Sequence, residues 1–114
     1  MIRILLIGQD RQTAERLTLQ CLERGVAVLI AENLCEAVRG LATTPVSLIV
    51  TDLGRFRLGL QEQATLFDRA APGVPVAVTV PADASLETRV ALELAGFHIV
   101  PAFPAPDDLL KPLD

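Results

Sequence analysis

Five short aliphatic runs punctuate this chain, and each is followed by a longer amphipathic stretch. No other feature restricts the fold as much. The runs are Arg3–Ile7, Val26–Ala31, Val46–Thr51, Pro75–Val80 and Phe97–Val100. They are rich in Val, Ile and Leu and lack strict polar alternation, which implies strands covered on both faces. Strands of that kind, separated by helices, build a parallel sheet through right-handed crossovers.

The intervening stretches carry helix signals. Asp10 is placed to cap a helix that runs to about Arg24, with Ala14, Leu17, Cys21 and Leu22 on one face and Gly25 ending it. Asn33 caps a second, with Leu34, Ala37, Val38 and Leu41, broken by Thr43-Thr44-Pro45. A third carries Leu60, Ala64 and Phe67. A fourth, capped by Asp83 or Ser85, carries Leu86, Val90, Leu94 and Ala95 and stops at Gly96. Pro106 opens a last helix with little chain left, so either the segment is cut from a longer chain or the helix is stunted, with an under-covered apolar strip as a candidate contact surface. The fold class is α/β: one domain over 1–114, a flavodoxin-like, doubly wound, five-stranded parallel sheet of order 2-1-3-4-5. Ligands of such sheets bind at the carboxyl ends of the strands, here Gly8-Gln9-Asp10 and Asp52.

The chain carries a formal net charge of −4, which opposes direct nucleic-acid binding. No apolar run is long enough to span a membrane, so a cytoplasmic location is expected. Cys21 and Cys35 lack metal-ligand spacing and are expected to be buried thiols on opposite sides of the sheet, unable to pair. Arg3, Arg11, Arg16, Arg24 and Arg39 read as solvated charge. His98 is the one imidazole and receives no catalytic role. Gly8 stands alone, without a phosphate-binding glycine motif. With no nucleophile–base pair and no metal cluster in the pattern, the chain reads as a non-enzyme.

Several local motifs then agree with one family. Leu48-Ile49-Val50-Thr51-Asp52-Leu53, Pro75-Val76-Ala77-Val78, Glu93-Leu94-Ala95-Gly96 and Pro106-Asp107-Asp108-Leu109-Leu110 follow one another in order and spacing along the whole chain. The chain resembles the receiver domains of two-component response regulators. That resemblance implies an Asp52 phosphoacceptor, Mg²⁺ during transfer, and protein partners in bacterial signalling: a histidine kinase, an output domain or a second copy in a homodimer. The partner surface it implies is formed by the fourth helix, fifth strand and fifth helix, with the Pro101–Pro106 segment.

The helpers that the resemblance implies are mostly replaced. Its two acidic positions after the first strand hold Gly8 and Gln9, its hydroxyl position holds Val80, and its lysine position holds Ala102. Thr79 precedes Val80 but points to the opposite face by strand alternation, and is therefore not expected to substitute. Asp10 with Asp52 remains a weak Mg²⁺ candidate. Asp52 keeps three readings: a structural carboxylate paired with a neighbour, an atypical phosphoacceptor, or a partner of Arg55 or Arg57. The whole resembles a degenerate receiver, or pseudo-receiver, and is expected to act as an interaction module. The alternatives are a receiver modified at Asp52 with weak Mg²⁺ binding, and a small-ligand or nucleotide binder at Gly8–Asp10, Asp52–Gly59 and Val80–Ala84.

Overall fold

The structure, a computed structural model, describes residues 1–52 and 58–113. The aliphatic runs become β1 (Arg3–Ile7), β2 (Ala27–Ala31), β3 (Leu48–Asp52), β4 (Val76–Val80) and β5 (His98–Pro101). They pair in parallel in the order β2-β1-β3-β4-β5, as expected from the sequence. Between them lie α1 (Arg11–Glu23), α2 (Leu34–Thr43), α3 (Leu60–Ala70) and α4 (Leu86–Leu94). α5 (Pro106–Leu110) follows β5 and runs into a 3-10 turn, Lys111–Leu113.

Strand alternation divides the core in two. Ile4, Leu6, Leu48, Val50, Ala77 and Val100 face Leu17 and Cys21 of α1 and Leu109 of α5. Leu5, Ile7, Ile49, Val76, Val78 and Val80 face Ala37 of α2, Phe67 of α3 and Leu92 of α4. Successive side chains of each strand therefore enter opposite layers, which is why the runs are apolar throughout.

Helix ends follow local chemistry. Asp10 Oδ1 accepts from the Thr13 amide at 2.9 Å, Asn33 Oδ1 from the Glu36 amide at 2.9 Å, and Ser85 Oγ from the Thr88 amide at 3.1 Å. Each bond satisfies an amide left without a partner in the first turn.

Packing adds four details to the sequence pattern, and in two of them, Leu22 and Cys35, it overturns an expectation. Leu22 is exposed, and the buried positions of α1 are Thr13, Ala14, Leu17 and Cys21. On α4 the regular row Leu86, Val90, Leu94 faces outward, whereas Leu92 is fully buried. Ser85 fixes one end of this helix, and the other turns at Gly96 (φ 94°) straight into β5, with the Phe97 amide donating to the Leu92 carbonyl at 3.0 Å. That short return sets the rotation of α4. Cys35 is exposed, because it sits in the first turn of α2 away from the sheet. Finally, the short last helix contributes to the layer it shares with α1. Leu109 is fully buried there, and Leu110 and Leu113 of the last helix and its 3-10 turn pack against the same layer.

Candidate functional site

Asp52 ends β3 on the layer shared with α1 and α5, in line with Leu48 and Val50. The register of β3 against β4 pairs Asp52 directly with Thr79. Directly paired residues of neighbouring strands project to the same face. The buried Thr79 hydroxyl accordingly donates to Asp52 Oδ1 at 2.9 Å, and also lies 3.3 Å from the Thr51 carbonyl oxygen.

This corrects the exclusion of Thr79. Alternation does place Thr79 and Val80 on opposite faces, but Thr79 is the one that shares the face of Asp52. Val80 is buried in the other layer, with Ile7 and Phe67. A signal for Thr79 existed in the sequence only as a polar residue inside an aliphatic strand. Its partner depended on inter-strand register, which no local pattern supplies.

The loop after β1 is shaped by backbone demands. Gly8 takes φ 68°, a left-handed conformation that side-chain-bearing residues rarely adopt, while its amide donates to the Ala31 carbonyl at 3.0 Å. Gln9 has a buried amide nitrogen, Nε2, with no hydrogen-bond partner among the described residues. Both oxygens of Asp10 are engaged by one residue. Oδ1 takes the Thr13 amide, and Oδ2 takes the Thr13 hydroxyl at 2.7 Å. The Thr13 side-chain bond, followed by the Thr13 backbone bond, holds the Asp10 carboxyl below its ordinary pKa.

This donor set does not fit a resident Mg²⁺. The hard ion calls for several oxygen ligands, commonly carboxylates. Gly8 has no side chain, Asp10 is committed to its cap, and one oxygen of Asp52 accepts from Thr79. No group of three or more His, Cys, Asp or Glu with metal-binding placement occurs among the described residues. Arg55 and Arg57, the other suggested partners of Asp52, lie outside the described residues.

The carboxyl edge of the sheet opens into separate clefts. One of ≈660 Å³ lies between the starts of α1 and α2 and is lined by Gln9, Asp10, Glu32 and Asn33 among others. Another of ≈600 Å³ lies between α4 and the end of β5, lined by Val80, Arg89, Ile99, Ala102 and Phe103 among others. Gln9 and Asp10 thus line one cleft and Val80, Pro81 and Ala82 the other, and Asp52 is in the lining of neither. Residues 53–57 of the suggested nucleotide lining lie outside the described residues.

Two arginines read as solvated tie α1 to the segment after β5. The half-buried Arg16 donates through Nη1 to the Pro104 carbonyl at 3.2 Å and to Gln20 Oε1 at 3.1 Å. Arg24 pairs with Asp107, and the hydrogen bond to Arg24 holds the Asp107 carboxyl below its usual range. All peptide bonds of the described residues are trans, those before Pro101, Pro104 and Pro106 included. Ala102 is half-buried and offers no charge. No helix among the described residues is long and apolar enough to cross a membrane.

No protein-family model and no curated protein matches the chain. Solved structures do. A response regulator from Thermotoga maritima superposes with a TM-score of 0.82 at 19% identity, over 99% of this chain and 94% of the other. The receiver domain of the Francisella response regulator 1452 gives 0.79 at 18%, over 99% and 93%. The Vibrio cholerae chemotaxis protein CheY4 gives 0.79 at 16%, over 99% and 96%. Strand order, helix placement and full-length superposition together establish that this chain has the fold of a response-regulator receiver domain.

Proposed function

We propose that the chain is a cytoplasmic signal-transduction module that works by binding proteins, not by catalysis, and that it does not use an ordinary phosphoryl switch. The observation that carries this reading is the engagement of Asp52 by Thr79, combined with what stands around it. The carboxylate already accepts a hydrogen bond from a buried hydroxyl. The hydroxyl on the face of Asp52 is that of Thr79, already engaged by the carboxylate, and Ala102 offers no charge at the position where the resemblance implies one. A phosphoryl group on Asp52 would then gain few contacts specific to one conformation, and a ligand shifts an equilibrium only by its differential affinity for the two states. A histidine kinase or an output domain is the partner class that the fold suggests.

The test is incubation with acetyl phosphate and Mg²⁺, followed by intact-mass measurement and amide exchange. The expected result is no lasting adduct and unchanged protection across β4, α4 and β5. A stable phosphoryl adduct, absent in Asp52→Ala and accompanied by altered protection of α4 and β5, overturns the reading in favour of a phosphorylated receiver.

A further inference from the structure

The two edges of the sheet are finished differently. β5 ends in Pro101, which has no amide hydrogen, and carries the exposed His98. β2, Ala27-Val28-Leu29-Ile30-Ala31, has neither a charge nor a proline, the devices that commonly guard an exposed edge. Its inner groups are used. The Ala27 amide donates to the Ile2 carbonyl at 3.0 Å, and the Ala31 carbonyl accepts from the Gly8 amide at 3.0 Å. Ala27, Leu29 and Ala31 therefore turn their peptide groups to β1, and Val28 and Ile30 turn theirs outward. Among the described residues no strand pairs with β2 on that side, and these four outward groups have no hydrogen-bond partner. Apolar surface and open space accompany the edge. Ile30 is 54% exposed on the face of α1. Leu22, 67% exposed, ends the row Ala14, Thr18, Leu22, whose first member lines the same cleft as Ile30. On the face of α2, the Glu36 carboxylate takes the Glu32 amide at 2.7 Å. One turn further on stands Gly40, where an added Cβ would meet nothing within 4 Å.

We infer that a second copy of the chain pairs with this edge, β2 against β2 and antiparallel, about a two-fold axis at Leu29. Val28 of each copy then faces Ile30 of the other, and each such pair exchanges both of its N–H···O bonds, so every outward group finds a partner. The same pairs set Val28 beside Ile30 on the face of α1, where both are apolar. The antiparallel sense also brings the end of β2 that Arg24 precedes toward the end that Glu32 follows in the other copy, so opposite charges approach. An unrelated extended segment could use the same backbone groups, but the two-fold match and the charge pairing are properties of this chain against itself. The pairing closes after one step. The joined sheet ends in a β5 on each side, and Pro101 and His98 make those edges poor templates, so a dimer forms and not a fibre. This edge lies across the sheet from β5 and from the partner surface that the resemblance implies. A net charge of −4 on each copy opposes association, so the dimer tightens as salt is raised.

Sedimentation equilibrium and residue-resolved amide exchange of the whole chain test the inference together. The expected result is a reversible dimer of twice the 12.2 kDa chain mass, with exchange of the Val28 and Ile30 amides slowing as concentration is raised. Ile30→Lys places a charge on the edge, and Ile30→Pro removes an outward amide that β1 does not use. Each is expected to weaken association at least about tenfold. Circular dichroism checks folding, and the lysine variant, at an exposed position, carries the test if the proline variant does not fold. A chain that stays monomeric up to about 1 mM overturns the inference. So does association indifferent to Ile30→Lys, or a dimer that slows exchange in α4 and β5 while Val28 and Ile30 exchange as before. Capture of an extended apolar peptide at β2 without self-association also overturns it, by assigning the edge to another protein. The acetyl phosphate measurement reads Asp52 and these measurements read β2, so the two readings fail separately.

Discussion

At the scale of single residues, the molecule is decided by which side chains share a face. Thr79 and Asp52 sit 27 positions apart in the chain and meet through strand register alone. Removing the hydroxyl while keeping the shape, in Thr79→Val, takes from a half-buried carboxylate the side-chain donor that it has among the described residues. That is expected to cost about 1–2 kcal/mol in urea unfolding. Thr79→Ser, which keeps the hydroxyl, should recover part of the loss; a valine variant as stable as the parent would dismiss the bond as incidental. The two cysteines separate at the same scale. Cys21 is buried, and burial pushes its thiol pKa up, whereas Cys35 is exposed. A thiol reagent is therefore expected to label the native protein once, and Cys35→Ser to abolish the labelling. Double labelling under native conditions would contradict the burial of Cys21. The cap at Asp10 was legible in sequence because its partner lies three residues away; the Thr79 contact was not.

At the scale of elements, the strands and helices were largely legible, because periodicity and capping act within a few residues. The rotation of a helix about its axis was less so. On α4 the apolar residues recur as a regular row, yet Leu92, outside that row, is the helix's one buried residue. Two substitutions two residues apart should then diverge. Leu92→Ala is expected to cost about 2–5 kcal/mol by leaving a cavity. Leu94→Ala should stay within about 0.5 kcal/mol, as an exposed site. Paired thermal or denaturant unfolding of the two variants settles it, and equal losses would show that α4 is rotated from its place here. The last helix shows the same limit. Its brevity was visible in the sequence, but the contribution of Leu113, from a 3-10 turn, depended on how the chain folds back over α1.

At the scale of the whole molecule, two carboxylates hold α1: Asp10 caps its start, and Asp107 reaches from α5 to Arg24 at its end. Both carboxyls titrate lower in the folded protein than in the unfolded chain. Their stabilisation is therefore complete above the ordinary carboxylate range and is lost as pH falls through the lowered folded values. Acid titration of stability should show a decline beneath about pH 4 that is shallower in Asp10→Asn with Asp107→Asn. Identical acid limbs in parent and variant would remove these two groups from the account. The order of elements, the parallel sheet and the placement of Asp52 and of Gly8-Gln9-Asp10 at its carboxyl edge followed from the sequence by itself, since aliphatic runs, caps and breakers report on their own neighbourhood. Only the tertiary structure decided that Thr79 engages Asp52, that α4 turns its regular apolar row outward and that Arg16 and Arg24 reach the segment after β5. Register, helix rotation and long-range pairing are set by packing between segments distant in the chain, and packing is a property of the assembled layers.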